Sequence, residues 1–261
     1  MSYNLMIFDK SKAPQFYEDF LEWTSNQTKW DEDRDYNSIA GTSPQLVSWF
    51  MDIKKTFPPL NGEYSLSDEE AFAAAEIENH LTDYSIGSDM IYVSVGWSVA
   101  EEANQLMLKL SQKHDLGLYD PQTGEVYSDN MVLCIMRTES YDDRIATWEH
   151  IEKEIQTLDD PSRGTTFRNG AFITIFFKQN GTDDEFMQCM PNYPKQQGFF
   201  KKLFNTADNT PITEYIAEVC TKEKIYTKQV TGKEQLTKII NDYYKTRKPP
   251  NISSWTDSNI I

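Results

Sequence analysis

The chain has 261 residues, 39% of them hydrophobic, and a formal net charge of −16. A chain of this length buries roughly 70% of its extended surface on folding, which excludes a disordered tail and a disulfide-dependent mini-protein. A mean hydropathy of −0.62 and the lack of any run of about 18 apolar residues exclude a transmembrane protein. The acidic balance argues against binding to nucleic acid or to an anionic membrane surface.

The cysteines and the first ten residues indicate the cellular compartment of the protein. Cys134, Cys189 and Cys220 share no short spacing and lie among apolar neighbours. Residues 1–10 have no basic start, and their apolar run is too short for a signal peptide. We therefore expect buried, reduced thiols and a cytoplasmic protein.

The excess negative charge is concentrated in the first half of the chain. Residues 1–130 carry 23 acidic and 8 basic side chains, whereas residues 131–261 carry 18 acidic and 17 basic ones. The resulting net charges of −15 and −1 indicate two modules with different surfaces. We predict an acidic domain at 1–128 and a second domain at 129–261.

Apolar spacing predicts a strand and a helix at the start of the chain. Residues 5–8 form an apolar strand candidate. Pro14 fits the first turn of a helix, where its missing N–H is harmless. The apolar residues that follow it at helical spacing are Phe16, Phe20 and Trp23.

Two further helices are predicted before residue 80. Ser43 and Pro44 are typical of an N-cap and a first helical residue. The apolar stripe of that helix consists of Leu46, Phe50, Ile53 and Phe57. Ser67 and Glu70 form a possible capping box for a short acidic helix.

The next segment predicts a hairpin, a helix and a short strand. Residues 83–97 are strand-like on both sides of the turn Gly87-Ser88-Asp89. Ser98 and Glu101 form a second capping box, and Gly117 is a candidate helix stop. The order of elements predicts an α+β domain of ferredoxin-like, split βαβ type with an enlarged first crossover.

Several motifs of this first half resemble an uncharacterised family of bacterial proteins. In chain order they are SPxLxxWF at 43–50, FPPxNG at 57–62, DYSIG at 83–87, IY at 91–92 and WSxAE at 97–101. The resemblance covers about residues 1–127 and implies no catalytic residue. In size and scattered occurrence, that family is similar to the small immunity proteins encoded beside bacterial toxins, so the resemblance implies a toxin-binding role.

The second half predicts another α+β layered module, with a central hairpin and a C-terminal helix. Its strand-like segments are 131–137, 171–178, 185–190 and 225–230. Asn180-Gly181 is a strong hairpin turn signal between two of them. Three helices are predicted, and their starts are Ser140 or Asp142, Pro211, and the capping pair Thr231 and Glu234.

An acidic cluster in the first half is the main candidate for a site. Its carboxylates are Asp31, Glu32, Asp33 and Asp35. The alternation of Asp31, Asp33 and Asp35 imitates the start of a calcium loop, but such a loop needs Gly at its sixth position and Glu at its twelfth. Those positions hold Tyr36 and Thr42, so calcium binding is disfavoured. A solvated loop and an electrostatic docking surface both remain open, as they do for the second cluster, Asp68, Glu69 and Glu70.

Two tryptophans are candidate anchors for a protein partner. Trp30 directly precedes the acidic cluster, and Trp49 lies off the Leu46–Phe50–Ile53 axis of its helix. An exposed aromatic side chain beside carboxylates is typical of a binding anchor. The alternative is that both rings fill a second layer of the core.

No motif in the sequence supports catalysis. The three histidines lack metal-ligand spacing, and there is no nucleophile elbow, phosphate loop or dinucleotide fingerprint. We predict no metal, no cofactor and no enzymatic activity. The sequence favours a non-catalytic immunity-type inhibitor that neutralises a basic toxin. The alternatives are a scaffold or oligomerisation module and a metal-dependent hydrolase that uses carboxylates.

Overall fold

Helices and antiparallel strands in the computed structural model confirm the predicted α+β class. The structure describes residues 2–160, 162–163, 170–179, 185–192 and 212–258. The chain divides into two units, Met1–Met131 and Val132–Ile261. Each unit contains one sheet of its own.

The first unit is built on a five-stranded antiparallel sheet. Its strands are β1 (Ser2–Phe8), β2 (Asp83–Ile86), β3 (Met90–Gly96), β4 (Gly117–Asp120) and β5 (Glu125–Tyr127). Their order is β2-β3-β1-β4-β5, so the first strand lies in the middle. The predicted opening strand and the 83–97 hairpin are confirmed. The ferredoxin-like description of this sheet remains a prediction.

Helices accompany both faces of that sheet. They are α1 (Tyr17–Gln27), α2 (Pro44–Ile53), α3 (Asp68–Ala71), α4 (Ala75–His80) and α5 (Ala100–Lys113). Leu5 and Ile7 join the α2 and α5 side chains in one buried cluster. On the opposite face Phe8 packs on Phe20 of α1 with ring centroids 4.8 Å apart. Alternation along β1 therefore buries both faces of the central strand.

Three local predictions in the first unit are wrong. Pro14 lies before α1, which begins only at Tyr17. The Ser98–Glu101 capping box does not form, because Trp97–Val99 make a 3₁₀ turn and α5 starts at Ala100. Gly117 is a β4 residue, and the chain instead leaves α5 through Asp115, whose φ is 56°.

Gly117 matters for packing rather than for helix termination. A Cβ atom at this position would lie 2.2 Å from Cζ of the buried Phe8 ring. We expect Gly117→Ala to lower the free energy of unfolding by about 1–3 kcal/mol, because a packed ring has little room to move. Thermal denaturation measures this. Gly96→Ala is the control, since a Cβ there meets only ordinary contacts, and an equal loss in both variants would contradict the packing argument.

The described residues of the second unit form a seven-stranded antiparallel sheet and two helices. The strands are β6 (Leu133–Thr138), β7 (Arg144–Ile145), β8 (Ile173–Lys178), β9 (Phe186–Pro191), β10 (Glu214–Thr221), β11 (Lys224–Thr231) and β12 (Thr256–Asp257). Their order is β12-β11-β10-β9-β8-β6-β7. The helices are α6 (Trp148–Gln156) and α7 (Lys233–Thr246), which pack on each other. Helix α7 also contacts β9, β10 and β11.

The helix predicted from Pro211 is wrong, since its apolar residues belong to β10. Tyr215, Ala217, Val219 and Thr221 are buried, and the residues between them are half-buried. This is the two-residue period of a strand, and β10 pairs along its length with β11 and along most of it with β9. Pairing on both sides favours the extended chain over an isolated helix.

Two predicted helix starts in the second unit are also wrong. Helix α6 is capped by Thr147, whose side chain pairs with His150, and not by Ser140 or Asp142. Before α6 the chain is still extended in β7, so a helix cannot begin earlier. Gly232 precedes α7, so the predicted capping box from Thr231 does not form. The Asn180-Gly181 turn lies outside the described residues, although β8 and β9 pair as antiparallel neighbours.

Candidate functional site

The loop between α1 and α2 holds Trp30 in an unusual position. Its ring contacts Tyr36 and Tyr92 edge-on, with centroids 5.2 and 5.9 Å away. The side chain is nevertheless 36% exposed. Trp30 also has a φ of 58°, in the left-handed region. That conformation is costly for a residue with a Cβ atom, and four other non-glycine residues among those described share it.

The largely buried side chain of Arg34 stabilises this loop through hydrogen bonds. Its Nη2 donates hydrogen bonds to the Ser38 and Ala40 carbonyls at 3.2 and 2.9 Å and to Thr42 Oγ1 at 2.8 Å. Thr42 Oγ1 donates in turn to the Gly87 carbonyl of the β2–β3 turn at 2.9 Å. The loop is thereby fixed to the rigid sheet, which gives the exposed Trp30 ring a defined position.

Glu32 faces inward and has a structural role. Its carboxylate pairs with Arg34 at 3.3 Å and accepts hydrogen bonds from the Ser88 N–H at 3.1 and 3.3 Å. Its own N–H donates to the Tyr36 hydroxyl at 2.9 Å. The predicted acidic cluster therefore separates into one carboxylate that holds the loop and three that face solvent.

The three outward carboxylates are Asp31, Asp33 and Asp35, all of which are exposed. Asp35 Oδ1 accepts hydrogen bonds from the Asn37 N–H and Nδ2 at 2.9 and 3.3 Å. We call Trp30 with these three residues the Trp30 surface. It combines a fixed, partly exposed aromatic ring with three negative charges.

Two side chains near the Trp30 surface have shifted pKa values. Burial raises the pKa of the Asp89 carboxyl, and the positive charge of Lys12 opposes that rise. Burial also raises the pKa of the Tyr92 phenol, which stays neutral under Trp30. The roles of Tyr36, Arg34 and Tyr92 were not predicted from the sequence. Tyr36 and Arg34 act within the folded loop, whose conformation no sequence pattern indicates, and Tyr92 reaches Trp30 from a distant strand.

Trp49 is not an anchor, contrary to one of the two sequence-based interpretations. Its side chain is 0% exposed, and its Nε1 donates to the Met107 carbonyl at 3.4 Å. It lies with Leu46, Phe50 and Ile53 in the main cluster of the first unit. A ring at that depth cannot touch a partner, so Trp49 is a core residue.

The second acidic cluster lies on α3. The predicted capping box is confirmed, since Glu70 accepts hydrogen bonds from the Ser67 N–H and Oγ at 3.0 and 2.7 Å. These bonds lower the pKa of the Glu70 carboxyl. Asp68 and Glu69 are exposed, and their role in binding stays a prediction. No hydrogen bond or ion pair between described residues joins this cluster to the Trp30 surface.

The described residues offer no obvious metal centre. None of their His, Cys, Asp and Glu side chains form a group of three or more that could hold a metal ion. His114 pairs with Asp52 at 2.9 Å, and His80 contacts Glu102 at 3.2 Å. Within the described ranges, no helix is both long and apolar enough to span a membrane.

Comparisons of the chain with protein-family models, with curated proteins and with solved structures found no match. The resemblance of residues 1–127 to a bacterial family therefore stays an expectation from its motifs.

Proposed function

We propose that this chain is an immunity-type protein that binds a basic toxin and neutralises it through the Trp30 surface. The observation that carries the proposal is the partly exposed Trp30 ring, which contacts Tyr36 and Tyr92 edge-on and is followed by exposed carboxylates. The motif resemblance of the first half points the same way.

The chemistry of the surface suits a cationic partner. Aromatic side chains on a rigid support are typical energetic centres of protein interfaces, because they bury large areas at low entropic cost. Exposed carboxylates around such a ring attract a basic protein over distance and mainly raise the association rate. The net charge of −15 on residues 1–130 acts in the same direction.

The product of the gene that neighbours this one provides the direct test. If that product is toxic on expression in a bacterial host, we expect co-expression of this chain to restore growth and the two purified proteins to bind. Trp30→Ala should then raise the dissociation rate at least tenfold, as expected for an interface centre worth about 2 kcal/mol. Leu60→Ala, which removes another exposed apolar side chain, is the control.

The outcomes separate this function from a scaffold or oligomerisation role. A neighbouring product that is harmless and does not bind contradicts the toxin hypothesis. Self-association of the purified chain that depends on Trp30 would instead assign the surface to an oligomer contact.

The three exposed carboxylates should act on association rather than on dissociation. We expect the combined variant Asp31→Asn, Asp33→Asn and Asp35→Asn to slow binding of the basic partner several-fold at low salt. The effect should shrink as the ionic strength rises, because salt screens exposed charges. Stopped-flow kinetics at several salt concentrations measures both.

A matched control removes the same charge elsewhere in the first unit. Glu63→Gln, Glu76→Gln and Glu78→Gln are all exposed substitutions. Equal slowing by both triple variants would mean that only the net charge matters, and the Trp30 surface would lose its special role.

A further inference from the structure

A second exposed tryptophan lies next to a groove in the first unit, in contact with one of its lining residues. Trp97 is 56% exposed and meets Tyr3 edge-on, with ring centroids 5.3 Å apart. The adjoining groove has a volume of about 350 Å³, and its lining residues are Tyr3, Ala100, Glu101, Asn104 and Gln105. Trp97 opens the WSxAE motif at 97–101, to which the Trp30 surface gives no role.

Hydrogen bonds hold the wall of this groove in place. The Tyr3 hydroxyl donates to Asp120 Oδ2 at 2.6 Å and accepts from Asn104 Nδ2 at 2.9 Å. On the rim, Gln105 Nε2 donates to Glu101 Oε1 at 3.3 Å. One wall is therefore the Tyr3 phenol, which the buried Asp120 carboxylate holds in place. The other wall carries the exposed Glu101 carboxylate beside the amides of Asn104 and Gln105.

Among the described residues, the negative charge around the groove has no cationic partner. Glu101, Asp120 and Glu125 accept hydrogen bonds from neutral donors, and none of them is in an ion pair among the described residues. The hydrogen bond to Glu125, then burial and the charges of Glu125 and Asp120, raises the pKa of Tyr127 to about 12. Burial and the same two carboxylates raise the pKa of Tyr3.

We propose that the groove beside Trp97 binds an arginine side chain of a basic protein partner. In this position a guanidinium stacks on the exposed Trp97 face and donates to the Glu101 carboxylate and to the amide oxygens of Asn104 and Gln105. The inference rests on the proposed function only in that the arginine belongs to the basic partner.

Arginine fits these groups better than lysine does. The planar guanidinium stacks on aromatic faces and carries donors in a fork that matches a carboxylate, whereas an ammonium is a compact and strongly hydrated charge. A cation over an indole adds attraction from the ring quadrupole. The buried charge of Asp120 acts through Tyr3, which it contacts directly.

A titration of the full chain with small probes tests the site without any partner. N-acetyl-arginine amide is compared with N-acetyl-citrulline amide, which has a similar shape and no charge. The indole N–H signals are followed by NMR, and the Trp97 signal is assigned by its loss in Trp97→Leu. We expect the arginine probe to shift the Trp97 signal saturably and the citrulline probe to leave it unchanged.

Two neighbouring carboxylates provide a matched pair of variants. Glu101→Gln should weaken binding of the arginine probe about two- to fivefold, as expected for an exposed charge pair. Glu102→Gln removes the same charge one residue later, where the carboxylate contacts His80 instead, and should leave binding unchanged. Signal dispersion and the melting temperature show that both variants are folded.

The outcomes decide the proposal independently of the toxin hypothesis. Equal shifts with arginine and citrulline, equal shifts of the Trp30 and Trp97 signals, or no shift at all would each overturn the arginine site. In those cases the Trp30 variants still test the proposed function. If the arginine probe binds and the neighbouring gene product does not, the site stands and the immunity role falls.

Discussion

Trp49→Ala is expected to lower the free energy of unfolding of the first unit by about 3–5 kcal/mol, as large-to-small changes of buried aromatics do. The ring is 0% exposed and lies among Leu46, Phe50 and Ile53, so its removal leaves a cavity that the packed neighbours fill only in part. Urea denaturation followed by circular dichroism measures the loss. Trp49→Phe should recover part of it, because a smaller aromatic ring refills some of the space.

Trp30→Ala serves as the control, because it should weaken binding of the partner and leave the stability of the fold nearly unchanged. We expect a stability change of about 1 kcal/mol or less, as for most surface substitutions, together with the faster dissociation argued above. If Trp49→Ala proves as mild as Trp30→Ala, the packing of α2 against the sheet is misassigned. The two tryptophans, equivalent candidates in the sequence, thus separate into one core residue and one surface residue.

The sequence contained the signal that assigns Trp49 to the core. Leu46, Trp49, Phe50 and Ile53 follow the i, i+3, i+4, i+7 spacing of a buried helix face. The narrower stripe Leu46, Phe50, Ile53 and Phe57 leaves Trp49 at its edge, and its last member lies beyond the end of α2. A wide apolar face is the norm for a helix that packs on a sheet and on another helix, as α2 does.

Strand β10 shows where sequence periodicity is ambiguous. Tyr215 and Val219 are four residues apart, which fits one helix face, but they also fit the alternation of a strand. Ala217 decides the question, because it is buried between them, yet a small residue gives little pattern signal. Pairing with β9 and β11 selects the strand, and that pairing joins distant segments.

The candidate site was predictable only in its exposed part. Trp30 and the three aspartates lie within six residues of one another in the chain, so their proximity needed no folding information. The inward turn of Glu32 depends on Ser88, which is 56 residues away. Likewise, Ser67–Glu70 formed its capping box and Ser98–Glu101 did not, because the 3₁₀ turn at Trp97 displaces the start of α5.

Arg163→Met is expected to destabilise the second unit by about 3–5 kcal/mol, because it leaves a buried carboxylate without its partner. Arg163 Nε and Nη2 donate to the two oxygens of Glu139 at 2.6 and 3.1 Å. The two side chains are only 13% and 7% exposed. Adding Glu139→Gln to Arg163→Met should recover stability, since it removes the stranded charge and keeps an acceptor for the Phe172 N–H. Urea denaturation of the single and double variants measures the recovery.

The pair Arg137–Asp143 is a control in the same unit, because both side chains are about half exposed. Arg137→Met should lower the free energy of unfolding by about 1 kcal/mol or less.

The dependence of stability on pH gives a second, independent readout. Burial opposes ionisation of Glu139, but the hydrogen bonds from Arg163 and from the Glu139 and Phe172 backbones hold the pKa of its carboxyl below the ordinary value of 4.5. This contribution is therefore complete above the ordinary pKa and is lost as the pH falls below it. In Arg163→Met the unpaired, buried Glu139 should instead favour protonation, so the stability gap to the unmodified chain should narrow on acidification. A gap that stays constant between neutral and acidic pH would show that the loss does not come from the unpaired charge of Glu139.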